Sequence, residues 1–290
     1  MALSDTRTFT DGAARKADLL YVLSRDNKLD ASDVEHTSAI GWYKGKWGDV
    51  KNTNWRSTAV AVAKLPEERL VFVGESGEVC VYSGGKAERE EIKPRPRLIR
   101  RAREIGGIVY ACGMLRQVFM RKDKDNWNDI SAKKPAREEK VGFEDICGFG
   151  EKEIYAVGWG GEVWEFDGKS WKGRGCLTNM ILASATCAED EVYVVGQQGV
   201  ILRGRHDSWS ILDVGKDLSV DIWDVCYFMD KVYFSTFTGI FFLEEGELHP
   251  VDFGFDVSSC YRLTQADGVL WSIGPSDVLS FDGNRWSKIA

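Results

Sequence analysis

The chain has 290 residues, 43% of them apolar, enough for a sizeable core and too many for a disordered chain. Its 30 Gly and 12% aromatics against only 6 Pro favour many short strands joined by tight turns over a helical bundle. No stretch approaches the ~18 uncharged apolar residues of a membrane helix, and the seven cysteines include no C-x-x-C pair, so a membrane-spanning class and a zinc knuckle are not expected.

At the N-terminus, Asp5, Arg7, Asp11, Arg15, Lys16 and Asp18 stand where a secretion signal needs an apolar run, which predicts a cytoplasmic protein. Leu20-Tyr-Val-Leu-Ser24 is the first apolar strand. Gly41 to Asp49 and Asn52 to Trp55 then concentrate Trp42, Trp47, Trp55 and Tyr43 among lysines. They read as a strand pair of a first structural unit, the alternative being a recognition loop for protein or glycan. Val60-Ala-Val62 and Leu70-Val-Phe-Val-Gly74-Glu-Ser-Gly-Glu-Val79 follow as two more strands. The basic run Lys93 to Arg97 and Arg100 to Arg103 alternates with Glu88, Glu90, Glu91 and Glu104 and lacks stacking aromatics. It is expected to be a solvated outer edge and linker, not a nucleic-acid site.

Beyond this point the pattern of Leu70 to Val79 returns. Ile154-Tyr-Ala-Val-Gly158-Trp-Gly-Gly-Glu-Val163 and Val192-Tyr-Val-Val-Gly196-Gln-Gln-Gly-Val-Ile201 share four apolar residues, Gly, two variable residues, Gly and an apolar residue. Weaker copies begin at Val109, Val232 and Leu270. Phe166-Asp-Gly-Lys-Ser-Trp171, Arg205-His-Asp-Ser-Trp209 and Phe281-Asp-Gly-Asn-Arg-Trp286 are related turns, each followed by an outer strand. The first glycine, or its substitute, falls at 74, 113, 158, 196, 236 and 274, a period of 40, and Ser24 supplies a seventh anchor. Seven units of about 41 residues have the length of a four-stranded propeller blade. The expected fold is a single-domain, all-β, seven-bladed β-propeller of four-stranded antiparallel blades, with six blades plus an N-terminal extension as the alternative. Whether Thr6 to Asp11 closes the ring by pairing with a C-terminal strand is open. The small and β-branched segments at Val60, Ile146, Thr186 and Val225 are the expected innermost strands, and Cys147, Cys187 and Cys226, spaced 40 and 39 apart, are expected to fill equivalent core slots as reduced thiols.

The pattern V-Y-x-V-G-x-x-G, continued by D-G-x-x-W, resembles the repeats of bacterial β-propeller proteins of the YCF48-like and BNR-like type. That resemblance implies the fold and, for the YCF48-like kind, a scaffold or assembly factor. Phe166 to Trp171 sets Asp167 and Gly168 side by side, which departs from the sialidase Asp-box.

Propellers gather two sets of loops at each end of a central channel, so the Gly-x-x-Gly turns and the turns entering the innermost strands should share one face. Glu75, Asp145, Trp159, Gln197, Gln198, Asp221, Trp223, Asp224, Phe237 and Asp256 are the candidate partner-binding residues, because exposed aromatics beside carboxylates suit a protein contact. His36, His206 and His249 have no recurring partner, and no phosphate-binding loop is present, so no catalytic residue, metal or cofactor is expected. From His206 onward 14 acids face 5 bases, which disfavours nucleic acid there and favours a basic protein. The expected function is non-enzymatic: a monomeric cytoplasmic inhibitor of the immunity-protein type, neutralising a basic partner such as a bacterial toxin. The alternatives are an assembly factor of the YCF48-like kind and a glycan-binding or sialidase-like propeller.

Overall fold

An apolar run of four to six residues bounded by turn residues is a strand buried on both faces. Seven such runs occur, and each becomes the second strand of a blade. The computed structural model describes residues 3–133, 141–214 and 218–290, folded as seven four-stranded antiparallel sheets of consecutive strands. Blade 1 is β1 (Arg7–Lys16), β2 (Leu19–Asp26), β3 (Thr37–Tyr43) and β4 (Lys46–Thr53). Blade 2 is β5 (Ser57–Ala63), β6 (Arg69–Gly74), β7 (Glu78–Ser83) and β8 (Lys86–Glu91). Blade 3 is β9 (Ile99–Ile105), β10 (Ile108–Gly113), β11 (Gln117–Asp123) and β12 (Asn126–Asp129). Blade 4 is β13 (Phe143–Gly150), β14 (Glu153–Gly158), β15 (Glu162–Phe166) and β16 (Trp171–Cys176). Blade 5 is β17 (Leu182–Ala188), β18 (Glu191–Gly196), β19 (Ile201–Arg205) and β20 (Ser208–Ile211). Blade 6 is β21 (Asp224–Phe228), β22 (Lys231–Ser235), β23 (Ile240–Glu244) and β24 (Glu247–Pro250), and blade 7 is β25 (Arg262–Ala266), β26 (Val269–Ile273), β27 (Val278–Phe281) and β28 (Trp286–Lys288). The first strand of each blade is innermost, and clusters of buried side chains fill the gaps between neighbouring blades.

The two glycines of the repeat have different causes. Gly158 is extended (φ 176°), yet a Cβ there would lie 1.9 Å from the Gly142 carbonyl oxygen, because the segment entering β13 passes directly over it. Gly196 and Gly274 meet the carbonyls of Ile181 and Ser259 in the same way. Left-handed backbone belongs to the second: Gly161 has φ 72° and turns the chain into β15. In the outer turns, Asp167 Oδ1 accepts from the backbone N–H groups of Lys169 and Ser170, and Asp282 Oδ1 accepts from those of Asn284 and Arg285. Trp171 then opens β16 and donates its indole N–H to the Ile130 carbonyl of the preceding blade at 2.6 Å.

Trp42 and Trp47 belong to β3 and β4, so the Trp-rich run is a strand pair. They pack the seam between the first and last blades, Trp42 edge-on against Trp271 (5.1 Å) and Trp47 stacked on Phe9 (6.4 Å). Among the described residues no strand crosses that seam. Thr8 and Asp11 pair with β2, and β1 meets blade 7 through side chains and two hydrogen bonds, Phe9 N–H to the Pro275 carbonyl (3.0 Å) and Ala14 N–H to Thr264 Oγ1 (3.1 Å).

Two expectations need correction. Lys93 to Arg97 lies in a blade connection, but Arg100, Arg101 and Arg103 sit on the innermost strand β9, and Arg101 is only 2% exposed. Cys147 and Cys226 do occupy equivalent positions, opposite Tyr155 and Tyr233, whereas the equivalent Tyr193 faces Thr186 and Cys187 lies one residue further on. A bulge between Gly148 and Gly150 shifts the spacing in blade 4.

Candidate functional site

Within an antiparallel blade, the connection from second to third strand and the connection to the next blade leave from the same end. Hydrogen bonds tie these loops together: Ile99 N–H to the Glu75 carbonyl (2.8 Å), Gln197 N–H to Ile181 (3.0 Å) and Ile222 N–H to Gly196 (3.0 Å). Glu75, Trp159, Gln197, Gln198, Asp221, Trp223, Phe237 and Asp256 therefore all lie in loops of one face. Asp145 and Asp224 do not join them. Both are fully buried at the start of their inner strands and are unavailable to a partner.

Several of the loop-face side chains are committed to shaping it. Trp159 donates its indole N–H to Glu144 Oε1 at 2.6 Å, and Glu144 is held in turn by Arg100 (3.0 Å). Gln197 Oε1 accepts from Ile181 N–H, and Asp221 Oδ1 accepts from Gln198 N–H at 2.9 Å, which fixes Gln198 in a left-handed turn. Trp223 packs on Tyr261 (5.4 Å between centroids), whose ring is covered by the Arg262 guanidinium. Phe237 is 50% exposed, and Leu177 and Val220 in neighbouring loops are exposed as well. These loops thus carry exposed apolar groups beside Asp221, Asp252 and Asp256, a combination suited to protein contact, whereas the exposed Tyr43, Leu65, Phe149 and Met229 lie at the opposite end.

The acids of the last third are not gathered on this face. Asp230, Glu245, Asp267 and Asp282 lie in turns at the opposite end, and Asp224 and Asp277 are buried. On the loop face, the acidic Asp221, Asp252 and Asp256 stand across from the exposed Lys93, Arg95 and Arg97 of the connection between blades 2 and 3.

The channel itself is closed by charge. The inner-strand residues opposite the position just before each anchor are Asp11, Ala59, Arg101, Asp145, Ser184, Asp224 and Arg262, one from each blade. Arg101 reaches Asp224 (2.7 Å), Asp11 (3.4 Å) and Asp145 (3.6 Å). Arg103, two residues on, makes a bidentate pair with Asp145 (2.9 and 2.7 Å) and also reaches Asp224 (3.0 Å). Remaining carboxylate lone pairs accept backbone N–H groups of the adjacent blades: Val60 on Asp11, Ala185 on Asp145 and Leu263 on Asp224. Burial alone would raise the pKa of Asp224, but Arg101 and Arg103 outweigh it and hold that carboxyl well below the usual range. Asp145 is lowered for the same reason, against its own burial.

Behind this plug, a polar well of about 500 Å³ opens at the opposite end, lined among others by Arg15, Lys64, Glu68, Glu104 and Gln265. Arg15 pairs with Glu68 and Lys64 with Glu104, so its wall charges are mutually neutralised. Among the described residues no group of three His, Cys, Asp or Glu side chains is placed to hold a metal ion. His36 joins two backbone groups, His206 bonds Glu165 and His249 stacks on Phe242.

No family model matches the chain. Among solved structures, it superposes on YCF48 bound to a D1 peptide (TM-score 0.70, 15% identity, covering 95% of this chain and 91% of that one). It superposes equally on the WD40 propeller domain of Doa1 (TM-score 0.70, 10% identity, 97% and 92% covered). At these identities the likeness establishes the fold alone. In sequence, the chain is 40% identical over 293 aligned positions to the immune protein Tsi7 of Pseudomonas aeruginosa, covering 96% of this chain and 95% of that protein. Identity of that extent makes the chain a member of the Tsi7 family of immune proteins.

Proposed function

We propose that this protein is a cytoplasmic, monomeric immunity protein that neutralises a toxin by binding it on the loop face, without catalysis. Membership of the Tsi7 family supports an immune role with a protein partner. The observation that carries the choice of face is that Phe237 and Val220 are exposed in neighbouring loops that also carry Asp221 and Asp256. Large apolar groups held in water by ordered loops add nothing to the core; on a partner they bury area at small ordering cost. The rim carboxylates favour a partner with a basic surface.

The test identifies the partner by affinity purification from the native cell, co-expresses the full chain with it and measures growth, then measures binding of the purified pair by calorimetry. Growth is expected to be restored. Phe237→Glu is expected to weaken binding ~30-fold, the scale of a lost hot spot, with unchanged melting temperature because that ring is half exposed. A Kd unaffected by both Phe237→Glu and Trp223→Ala would move the site off this face. Recovery of a large multi-subunit complex by the native chain would favour an assembly factor instead.

A further inference from the structure

The connection between β2 and β3 holds ten residues, 27–36, where the corresponding connections of the other six blades hold three or four. It emerges on the loop face, beside the connection between blades 1 and 2, where Arg56 meets Asp33 at 3.4 Å. Within it, α1 (Asn27–Ala31) buries none of its residues, Leu29 is 41% exposed and Val34 is 45% exposed. Apart from the buried His36 at its base, the segment contributes nothing to the core.

It is nevertheless held in one conformation. Asp26 caps α1 by accepting from the N–H groups of Lys28 and Leu29, and Asn27 N–H donates to the Thr6 carbonyl at 2.9 Å. The buried His36 ring closes the base of the loop, accepting Asp26 N–H at Nε2 (2.7 Å) and donating from Nδ1 to the Val34 carbonyl (2.7 Å). Arg25 pairs with Asp30 (3.2 Å), and Arg56 with Asp33 (3.4 Å). Two apolar side chains are thus presented to solvent on a scaffold ordered in advance, which is how an interface limits the entropy cost of binding.

Its charge also has a direction. Residues 25–36 carry Asp26, Asp30, Asp33 and Glu35 against Arg25 and Lys28, and Glu35 makes no ion pair among the described residues. The exposed Glu75 lies in the β6–β7 turn of the next blade, beside the same connection between blades 1 and 2.

We propose that the blade-1 insertion is the specificity-determining contact of this protein: Leu29 and Val34 seat on an apolar spot of the toxin, and Asp33 and Glu35 meet a basic ridge beside it. This rests on the reading that the loop face binds a toxin. Repeat architecture supplies the logic, since a blade tolerates a long loop without change to its sheet, so recognition can diverge there while the propeller stays constant.

The test uses the purified full chain and the purified partner toxin recovered with it from the native cell. Leu29→Asp combined with Val34→Asp is expected to weaken the Kd at least ~tenfold with no change in melting temperature. Asp33→Lys combined with Glu35→Lys is expected to slow association and flatten its dependence on salt. Exchange of residues 27–35 for the short blade-2 turn Glu75-Ser76-Gly77 is expected to abolish tight binding; if that exchange fails to fold, the point variants decide. Wild-type affinity in both double variants, with Phe237→Glu still weakened, would overturn the insertion and leave the loop face standing. Failure of the wild-type chain to bind the toxin would overturn the reading beneath both.

Discussion

Replacing Arg101 by Met tests whether the channel plug clasps the ring. Arg101 is 2% exposed, and its guanidinium touches carboxylates of blades 1, 4 and 6, each of which also accepts a backbone N–H from the next blade. Met keeps most of the side-chain volume but leaves Asp11, Asp145 and Asp224 around Arg103, with the partly exposed Arg262 nearby. Removing one member of a buried ionic network costs about 3–5 kcal/mol, a large share of the ~5–15 kcal/mol that stabilises a typical domain. The neighbouring Arg100→Met is the control. Its pair with Glu144 is part-exposed at 37% and 15%, so a loss of ~0–1 kcal/mol is expected. Urea unfolding followed by Trp fluorescence measures both, as shifts in midpoint at constant slope. The sign of the pH effect follows from the depressed pKa values of Asp224 and Asp145. Their contribution is complete above the unfolded carboxylate pKa of about 3.9 and is lost as pH falls toward the lower folded values. Without Arg101 those folded values rise, so the variant should unfold at higher pH than the parent on acidification. A variant within 1 kcal/mol of Arg100→Met, with an unmoved acid limb, would show that apolar packing between blades holds the ring and the plug does not.

Three further outcomes follow from the same structure. Gly158→Ala should destabilise by ~1–3 kcal/mol, since its Cβ has a backbone carbonyl 1.9 Å away, while Gly150→Ala, with open space around it, should cost much less; thermal melts compare them. Asp167→Ala and Asp282→Ala should each lower the melting temperature slightly by freeing two backbone donors, and pH titration by NMR should find both carboxyls below the ordinary range, as hydrogen bonds from those N–H groups dictate. An aromatic disulfide reagent should modify the exposed Cys176 first, and Cys80, Cys112, Cys226 and Cys260 only on unfolding; rapid native labelling of buried Cys112, whose thiol burial pushes up, would contradict the packing.

The repeat made the blades legible, because period, apolar runs and turn residues are local properties that recur in register. Ser24 and Thr236 were readable as anchors from position alone, although neither is glycine, and both follow the apolar run of a second strand. What the glycine at 158 does was not readable, since its cause is a carbonyl from a segment sixteen residues earlier. The arginines of β9 were misjudged for a related reason. A run of alternating charge has the composition of a solvated edge, and nothing local distinguishes it from an inner strand. Counting back twelve residues from the anchors would have done so, because Arg101 then falls with Ser184, Asp224 and Arg262, while bulges in β1 and β13 set Asp11 and Asp145 of the same ring one residue further back. The same count would have withdrawn Asp145 and Asp224 from the contact surface. Phe237 and the blade-1 insertion stand out as departures from the repeat, which is where recognition has freedom to vary.

The seam between blades 1 and 7 has a bearing on chain order. Every blade is one uninterrupted stretch, no strand is lent across the seam, and Leu3, Ile289 and Ala290 pack into the same cluster. Cutting the polypeptide in any connection between blades and linking the ends beside that cluster would leave each sheet with all its own strands. The molecule is in this respect a circle that happens to be written as a line, and the starting blade is a matter of synthesis; only the order of neighbours around the axis is fixed by the physics.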